Sequence, residues 1–127
     1  MEAGERRSGE MTFYVVRHGQ TLFNVMGKVQ GWCDTPLTDE GVRAAQSLGR
    51  GLAEVDFSAA YSSDSGRAVH TLDELLRARG SGVPFGPYDD MRLREWCYGD
   101  LEGEPGELLH ATLDVGFGAP LSFEEHN

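Results

Sequence analysis

Apolar residues fall along the chain in short blocks whose spacing alternates between two kinds of element. Phe13-Tyr14-Val15-Val16 is β-branched and aromatic without polar alternation, the pattern of a strand buried on both faces, and it runs into Arg17-His18-Gly19. Residues 20–37 mix polar and apolar types around Gly27, Gly31 and Pro36, which predicts a long structured loop with one helical turn. Thr38 then offers an N-cap, Asp39 and Glu40 suit a first turn, and Val42, Ala45, Leu48 and Leu52 mark a helix to about Glu54. Phe57 to Ser62 reads as a second strand. Ala68, Leu72, Leu75 and Leu76 form a helical stripe that Gly80 terminates. A third strand is expected within Val83 to Tyr88, and a short helix near Glu107 to Leu113. Strand, helix, strand, helix predicts an α/β fold: a mostly parallel sheet in a three-layer α/β/α arrangement with right-handed crossovers.

Length changes this picture little, because 127 residues suit a single domain with its own core. Met1 to Glu10 is polar and is read as a disordered extension, leaving 11–127 as the domain. Charge changes it more. The chain carries 11 Lys and Arg against 21 Asp and Glu, a formal charge of −10, which argues against nucleic acid and anionic membrane as partners. An anionic ligand must then be held by a local cluster of arginines; Lys28 is the sole lysine. Beyond Arg94 there is no Lys or Arg, and glycine and proline break up the segment, as in a lid or excursion. Cys33 and Cys97, without signal-peptide character, suit a reduced cytoplasm, and no apolar run has membrane-spanning length.

His18, at a strand end before Gly19 and beside Arg17, is placed for nucleophilic chemistry, although a lone histidine beside an arginine is more often a surface or hydrogen-bonded residue. Metal binding by His18, His70, His110, His126, Cys33 and Cys97 is disfavoured, since no pair has zinc-site spacing. Two later blocks change the weighing. Arg17-His18-Gly19-Gln20-Thr21 with Asn24, Gln30-Gly31-Trp32, Asp34, Pro36-Leu37-Thr38 and Gly41 resembles the N-terminal signature of the histidine phosphatase superfamily, the phosphoglycerate mutase-like enzymes. Ser62-Ser63-Asp64-Ser65-Gly66-Arg67-Ala68 with Thr71 resembles that family's second block. Leu93-Arg94-Glu95 with Tyr98-Gly99, Leu101 and Gly103 resembles the block carrying its acid.

The resemblance implies the phosphoglycerate mutase-like fold and phosphomonoester hydrolysis through a phosphohistidine on His18. Glu95 is then general acid and base, its pKa raised by desolvation against Trp96 or Tyr98. Arg17 and Arg67 grip the phosphoryl group, Arg17 holds His18 neutral, and Asn24, Gln30 and Gly31 contact phosphate or substrate. Without the resemblance, Glu95 reads as a salt-bridge partner of Arg92 or Arg94, Arg67 as helix-surface packing, Trp32 and Trp96 as wall and core, and His70 as an exposed helix residue. The implied ligand is a small phosphorylated metabolite, with no cofactor and no metal.

Members of the family also carry a second catalytic histidine before a glycine, after a later strand. Neither His110 nor His126 has that context, so the sequence reads as an N-terminal portion whose open sheet edge invites association between copies. The absence of cations after Arg94 favours a phosphatase over a mutase, which must hold further acidic groups. Mutase-type phosphoryl transfer and a non-catalytic phosphate-binding protein remain as alternatives.

Overall fold

The computed structural model describes residues 9–117. Most of the expected extension, and Gly118, Pro120 and His126, lie outside the described residues. The elements run α1 (Leu22–Met26), α2 (Asp39–Gly51), β1 (Ala59–Ser63), α3 (Gly66–Arg79), β2 (Phe85–Asp90) and α4 (Gly106–Phe117), with 3-10 turns at Met91–Leu93 and Gly99–Leu101. β1 and β2 pair in parallel, Ala59 opposite Phe85 and Ser63 opposite Asp90, with an irregularity between Ala59 and Tyr61. α3 makes the crossover between them. The Tyr61 and Tyr88 rings meet across the pair at 5.6 Å.

Caps set most boundaries where the sequence places them. Thr38 accepts from the Gly41 N–H at the start of α2, and Gly80, at φ 84°, closes α3 in the left-handed conformation. The expected turn in the 20–37 loop is α1. Thr21 and Asn24 form a reciprocal capping box there, with Asn24 N donating to Thr21 Oγ1 (3.2 Å) and Thr21 N to Asn24 Oδ1 (3.0 Å).

The packing stripes differ from the apolar ones. On α2 the buried line is Gly41, Ala45 and Gly49, continued by Leu52, whereas Leu48 is 38% exposed. Small residues win because backbone approaches there: a Cβ on Gly49 would fall on the Leu75 carbonyl oxygen of α3, and one on Gly41 would fall on that of Gln20. On α3 the buried line is Arg67, Thr71, Leu75 and Arg79. Burial of Leu75 contributes about 2 kcal/mol. The polar members survive burial because they are hydrogen-bonded: Arg79 donates to the carbonyls of Leu52, Val55, Ser81 and Gly82, and its guanidinium lies 5.0 Å from the Phe57 ring centroid.

The expected first strand is a correction. Residues 13–16 have no ladder partner among the described residues, and Phe13 and Val15 are 78% and 95% exposed. Strand-forming side chains need a neighbouring backbone to pair with, and the sheet among the described residues holds only β1 and β2. Tyr14 alone is anchored, edge-on to Phe57 at 5.1 Å.

Candidate active site

At their C-terminal ends β1 and β2 run directly into the second and third motif blocks. Thr71 holds the first block: its Oγ1 accepts from the Gly19 N–H (3.0 Å) while donating to the Arg67 carbonyl (2.7 Å). Gly19 in turn lies against α2, where an added Cβ would sit 2.6 Å from the Gly41 carbonyl oxygen. The half-buried His18 is thereby fixed at its C-terminal side. Its Nδ1 lies 2.7 Å from the Gly19 carbonyl oxygen. A carbonyl only accepts, so the proton resides on Nδ1 and the lone pair on Nε2. Burial is the largest influence on the ring and lowers its pKa; the Gly19 bond opposes this, and Arg67 and then Arg17 lower it further. The sequence anticipates Arg17 in that role but not the larger shares of burial and Arg67.

A cavity of about 680 Å³ is lined by Arg17, His18, Asn24, Gln30 and Glu95, five of the expected site residues. Gln20, Phe23, Lys28, Tyr98 and His110 also line it. The Asn24 Oδ1 is engaged by the α1 cap, which leaves its NH2 for the cavity. The Gln30 amide is satisfied when its nitrogen donates to Thr21 Oγ1 (2.7 Å) and its oxygen accepts from Thr35 N (3.0 Å) and Arg67 Nη1 (3.2 Å).

Arg67 and Gly31 depart from expectation, and neither lines the cavity. Arg67 is 4% exposed; its Nη2 donates to Gly31 O (2.7 Å), and its Nη1 to Cys33 O (2.8 Å) and Asp34 Oδ1 (3.2 Å). Its guanidinium therefore braces the 31–34 loop and acts on His18 through its field. Gly66 makes this possible, because any Cβ there would clash with the Asp34 carboxylate that also accepts from the Arg67 backbone N–H. The Gly31 N–H is likewise engaged, by Glu102 Oε2 (3.0 Å).

Glu95 is held by its neighbours' bonds. Arg94 clasps Asp64, just beyond β1, through two 2.7 Å contacts and lies 4.8 Å over the Trp32 ring, whose Nε1 donates to the Glu95 carbonyl (2.9 Å). The Glu95 Oε1 accepts from the Trp96 N–H (2.8 Å). Arg92 pairs with Asp90, so neither neighbouring arginine neutralises Glu95. Trp32 and Trp96 are 52% and 55% exposed rather than core, and neither lines the cavity. Of Trp96 and Tyr98, it is Tyr98 that lines the cavity with Glu95. Burial, then Glu95 and Glu102, push its phenol pKa up. His70 is half-exposed on α3, 3.4 Å from Glu74, and lies outside the lining.

Residues 13–124 match the histidine phosphatase superfamily (branch 1). The chain belongs to that superfamily. It is 37% identical over 105 residues to the 2,3-bisphosphoglycerate-dependent phosphoglycerate mutase of Cytophaga hutchinsonii, covering 83% of this chain and 46% of the mutase. It is also 38% identical over 98 residues to the mouse (Mus musculus) fructose-2,6-bisphosphatase TIGAR, covering 76% of this chain and 36% of that protein. The crystal structure of a phosphoglycerate mutase from Bacillus anthracis superposes with a TM-score of 0.73 at 37% identity, covering 80% of this chain and 44% of that one. The fold is therefore phosphoglycerate mutase-like. This histidine phosphatase chain spans about half the length of the curated mutases it matches, 46% of the first.

Two features of the site escape the motif blocks. One is the presence of Lys28 and His110 in the cavity, His110 having been set aside for lack of a strand and glycine around it. The other is Glu102, whose Oε1 accepts from the N–H groups of Trp32 (2.7 Å) and Tyr98 (3.2 Å), and whose Oε2 accepts from those of Gly31 (3.0 Å) and Cys33 (3.2 Å). Burial pushes its pKa up, but the bonds from the Cys33 thiol and the backbone N–H groups outweigh this and bring it to about 2. A depressed carboxylate stabilises the fold above its ordinary value of 4.5, and that contribution disappears as pH falls from there toward 2. Glu102→Gln turns an NH2 toward backbone donors and is expected to cost about 2 kcal/mol. Melting curves should show the variant losing less stability than the parent between pH 5 and pH 3, roughly the upper part of that window. Equal losses would remove Glu102 as the loop's clamp.

Proposed function

We propose that the protein hydrolyses phosphomonoesters through a phosphohistidine on His18. The observation that carries this reading is the 2.7 Å contact of Nδ1 with Gly19 O: a half-buried imidazole that donates there turns its other nitrogen, Nε2, to nucleophilic use, and it shares a cavity with Arg17 and Glu95. Nε2 attacks phosphorus in line with the leaving alcohol. The P–O bond breaks as the Glu95 carboxyl gives its proton to the departing oxygen. Glu95, now a carboxylate, takes a proton from water, whose oxygen attacks phosphorus; the P–N bond breaks, releasing phosphate and restoring neutral His18. Arg17 and the Asn24 NH2 hold the equatorial oxygens, and Arg67 opposes protonation of His18. No step calls for a metal. The implied substrate is a small phosphorylated metabolite. A cytoplasmic setting accords with two unpaired cysteines and with the lack, among the described helices, of one long and apolar enough to cross a membrane.

Phosphoryl retention and transfer is the second reading, favoured by the mutase names of several relatives. Rapid quenching of the protein with a phosphorus-labelled aryl phosphate, chelator present, separates the two. The expected result is an acid-labile, alkali-stable label on His18 that decays to free phosphate. Label passing to an added acceptor ester instead would favour the mutase reading. Absence of label would overturn both and leave phosphate binding alone.

A further inference from the structure

Trp32 is half-exposed and lies outside the cavity lining, so neither core packing nor a cavity wall accounts for its place. Its backbone is nevertheless held on both sides. The carbonyls of Gly31 and Cys33, which flank it, accept from Arg67 Nη2 (2.7 Å) and Nη1 (2.8 Å), and its own N–H donates to Glu102 Oε1 (2.7 Å). The ring is set as well. The Arg94 guanidinium lies 4.8 Å from its centroid, and that guanidinium is fixed in turn by the part-buried two-point fork on Asp64, directly after β1.

An indole held in this way has one polar atom to place, and Nε1 donates to the Glu95 carbonyl (2.9 Å). The same peptide unit continues to the acid itself: its N–H, that of Trp96, donates to Glu95 Oε1 (2.8 Å). The unit is planar and trans, so the direction of its carbonyl fixes the direction of its N–H. Two hydrogen bonds in series through one amide also polarise each other. The orientation of the carboxyl is thereby tied to the loop that Arg67 braces. With Oε1 accepting, the carboxylic acid carries its proton on Oε2.

We propose that Trp32 is a positioning residue for the general acid: its indole N–H fixes the peptide between Glu95 and Trp96, and that peptide turns the Glu95 carboxyl so that Oε2 delivers the proton to the leaving oxygen. The proposal rests on Glu95 being the acid of the hydrolytic reading and deepens it. A general acid works only when its proton lies within hydrogen-bond reach of the leaving oxygen, and a glutamate on a free loop has several rotatable bonds with which to miss it. The Asp64 fork sets Arg94, Arg94 covers the ring, and the ring aims the donor. Trp32, outside the cavity lining, acts through Glu95.

The test uses Trp32→Phe in the full chain, which keeps an aromatic face for Arg94 and removes the N–H, with glycerol 3-phosphate and nitrophenyl phosphate compared in single-turnover kinetics. The alkyl ester is expected to react about tenfold more slowly with little change in KM, while the nitrophenyl ester phosphorylates His18 within about twofold of the parent rate. In Trp32→Phe combined with Glu95→Gln, the alkyl ester should react no more slowly than in Glu95→Gln alone, because the indole acts through the carboxyl. Arg94→Lys leaves Trp32 in place but loses the fork, and should show the same selectivity to a smaller degree. Circular dichroism confirms that each variant is folded. Independently of turnover, the Trp32 indole proton should exchange with water at least about tenfold more slowly than in free indole. Unprotected exchange, no slowing of the alkyl ester, equal slowing of both esters, or a further tenfold loss in the double variant would overturn the proposal while leaving Glu95 as the acid. Failure of Glu95→Gln to distinguish the two esters, or absence of turnover in the parent, would overturn the acid reading and the proposal with it.

Discussion

His18→Ala is expected to abolish phosphomonoester turnover, lowering kcat by about 10⁴-fold or more and leaving no labelled enzyme after quenching. The ring has two functional nitrogens with separate tasks: Nδ1 is committed to Gly19 O, and Nε2 is the nucleophile. Alanine removes the nucleophile while leaving Arg17, Asn24 and the backbone cradle, so phosphate binding should weaken far less than turnover. The imidazole is already biased toward its neutral form by burial, Arg67 and Arg17. The acid limb of the kcat/KM profile should accordingly fall below the ordinary histidine value of 6.5. A variant that retained turnover would move the chemistry to another group. A profile whose acid limb stood above 6.5 would contradict the electrostatic account of His18.

Glu95→Gln should separate substrates by leaving group. For alkyl esters, whose alkoxides depart only with a proton, the loss in kcat is expected to be roughly 10²- to 10⁴-fold. For a nitrophenyl ester, whose leaving group is stable as an anion, phosphorylation of His18 should slow little, and the deficit should shift to hydrolysis of the phosphoenzyme, which then accumulates. Single-turnover measurements across a series of leaving groups read this directly. A uniform loss across the series would assign Glu95 to binding or to structure. The variant should fold normally, because Trp32 and Arg94 hold this segment through the Glu95 carbonyl and through Asp64, not through the carboxylate.

Sequence alone carries α2 and α3 and their caps well, because capping and termination are local: Thr38 and Gly80 are readable within four residues of their effect. The run 13–16 is legible as apolar but not as a strand, since a strand is a property of two chains of backbone and no described neighbour pairs with this one. Site membership divides in the same way. His18, Arg17, Asn24, Gln30 and Glu95 sit in motif blocks and converge on one cavity. Arg67 is legible as a cation, but its engagement by the carbonyls of Gly31 and Cys33 and by Asp34 depends on a loop brought up from more than thirty residues away. Glu102 looks in sequence like Glu104 or Glu107. Only the folded loop distinguishes it, by turning the N–H groups of residues 31, 32 and 33 onto one carboxylate. Lys28 and His110 line the same cavity only because the chain at Pro105 and Gly106 returns against the end of α1.

Where Gly19 and Gly41 press backbone on backbone, no side chain stands between the nucleophile's loop and α2. A seam of that kind has no rotamers with which to absorb a displacement. Movement of α2 by a few tenths of an ångström is handed undiminished to the imidazole, and the mechanical tolerance of the reaction is that of a helix held at its other end by Gly49 against α3. Surface substitutions on α2 that touch no ligand but tilt its axis should therefore register in kcat before they register in melting temperature.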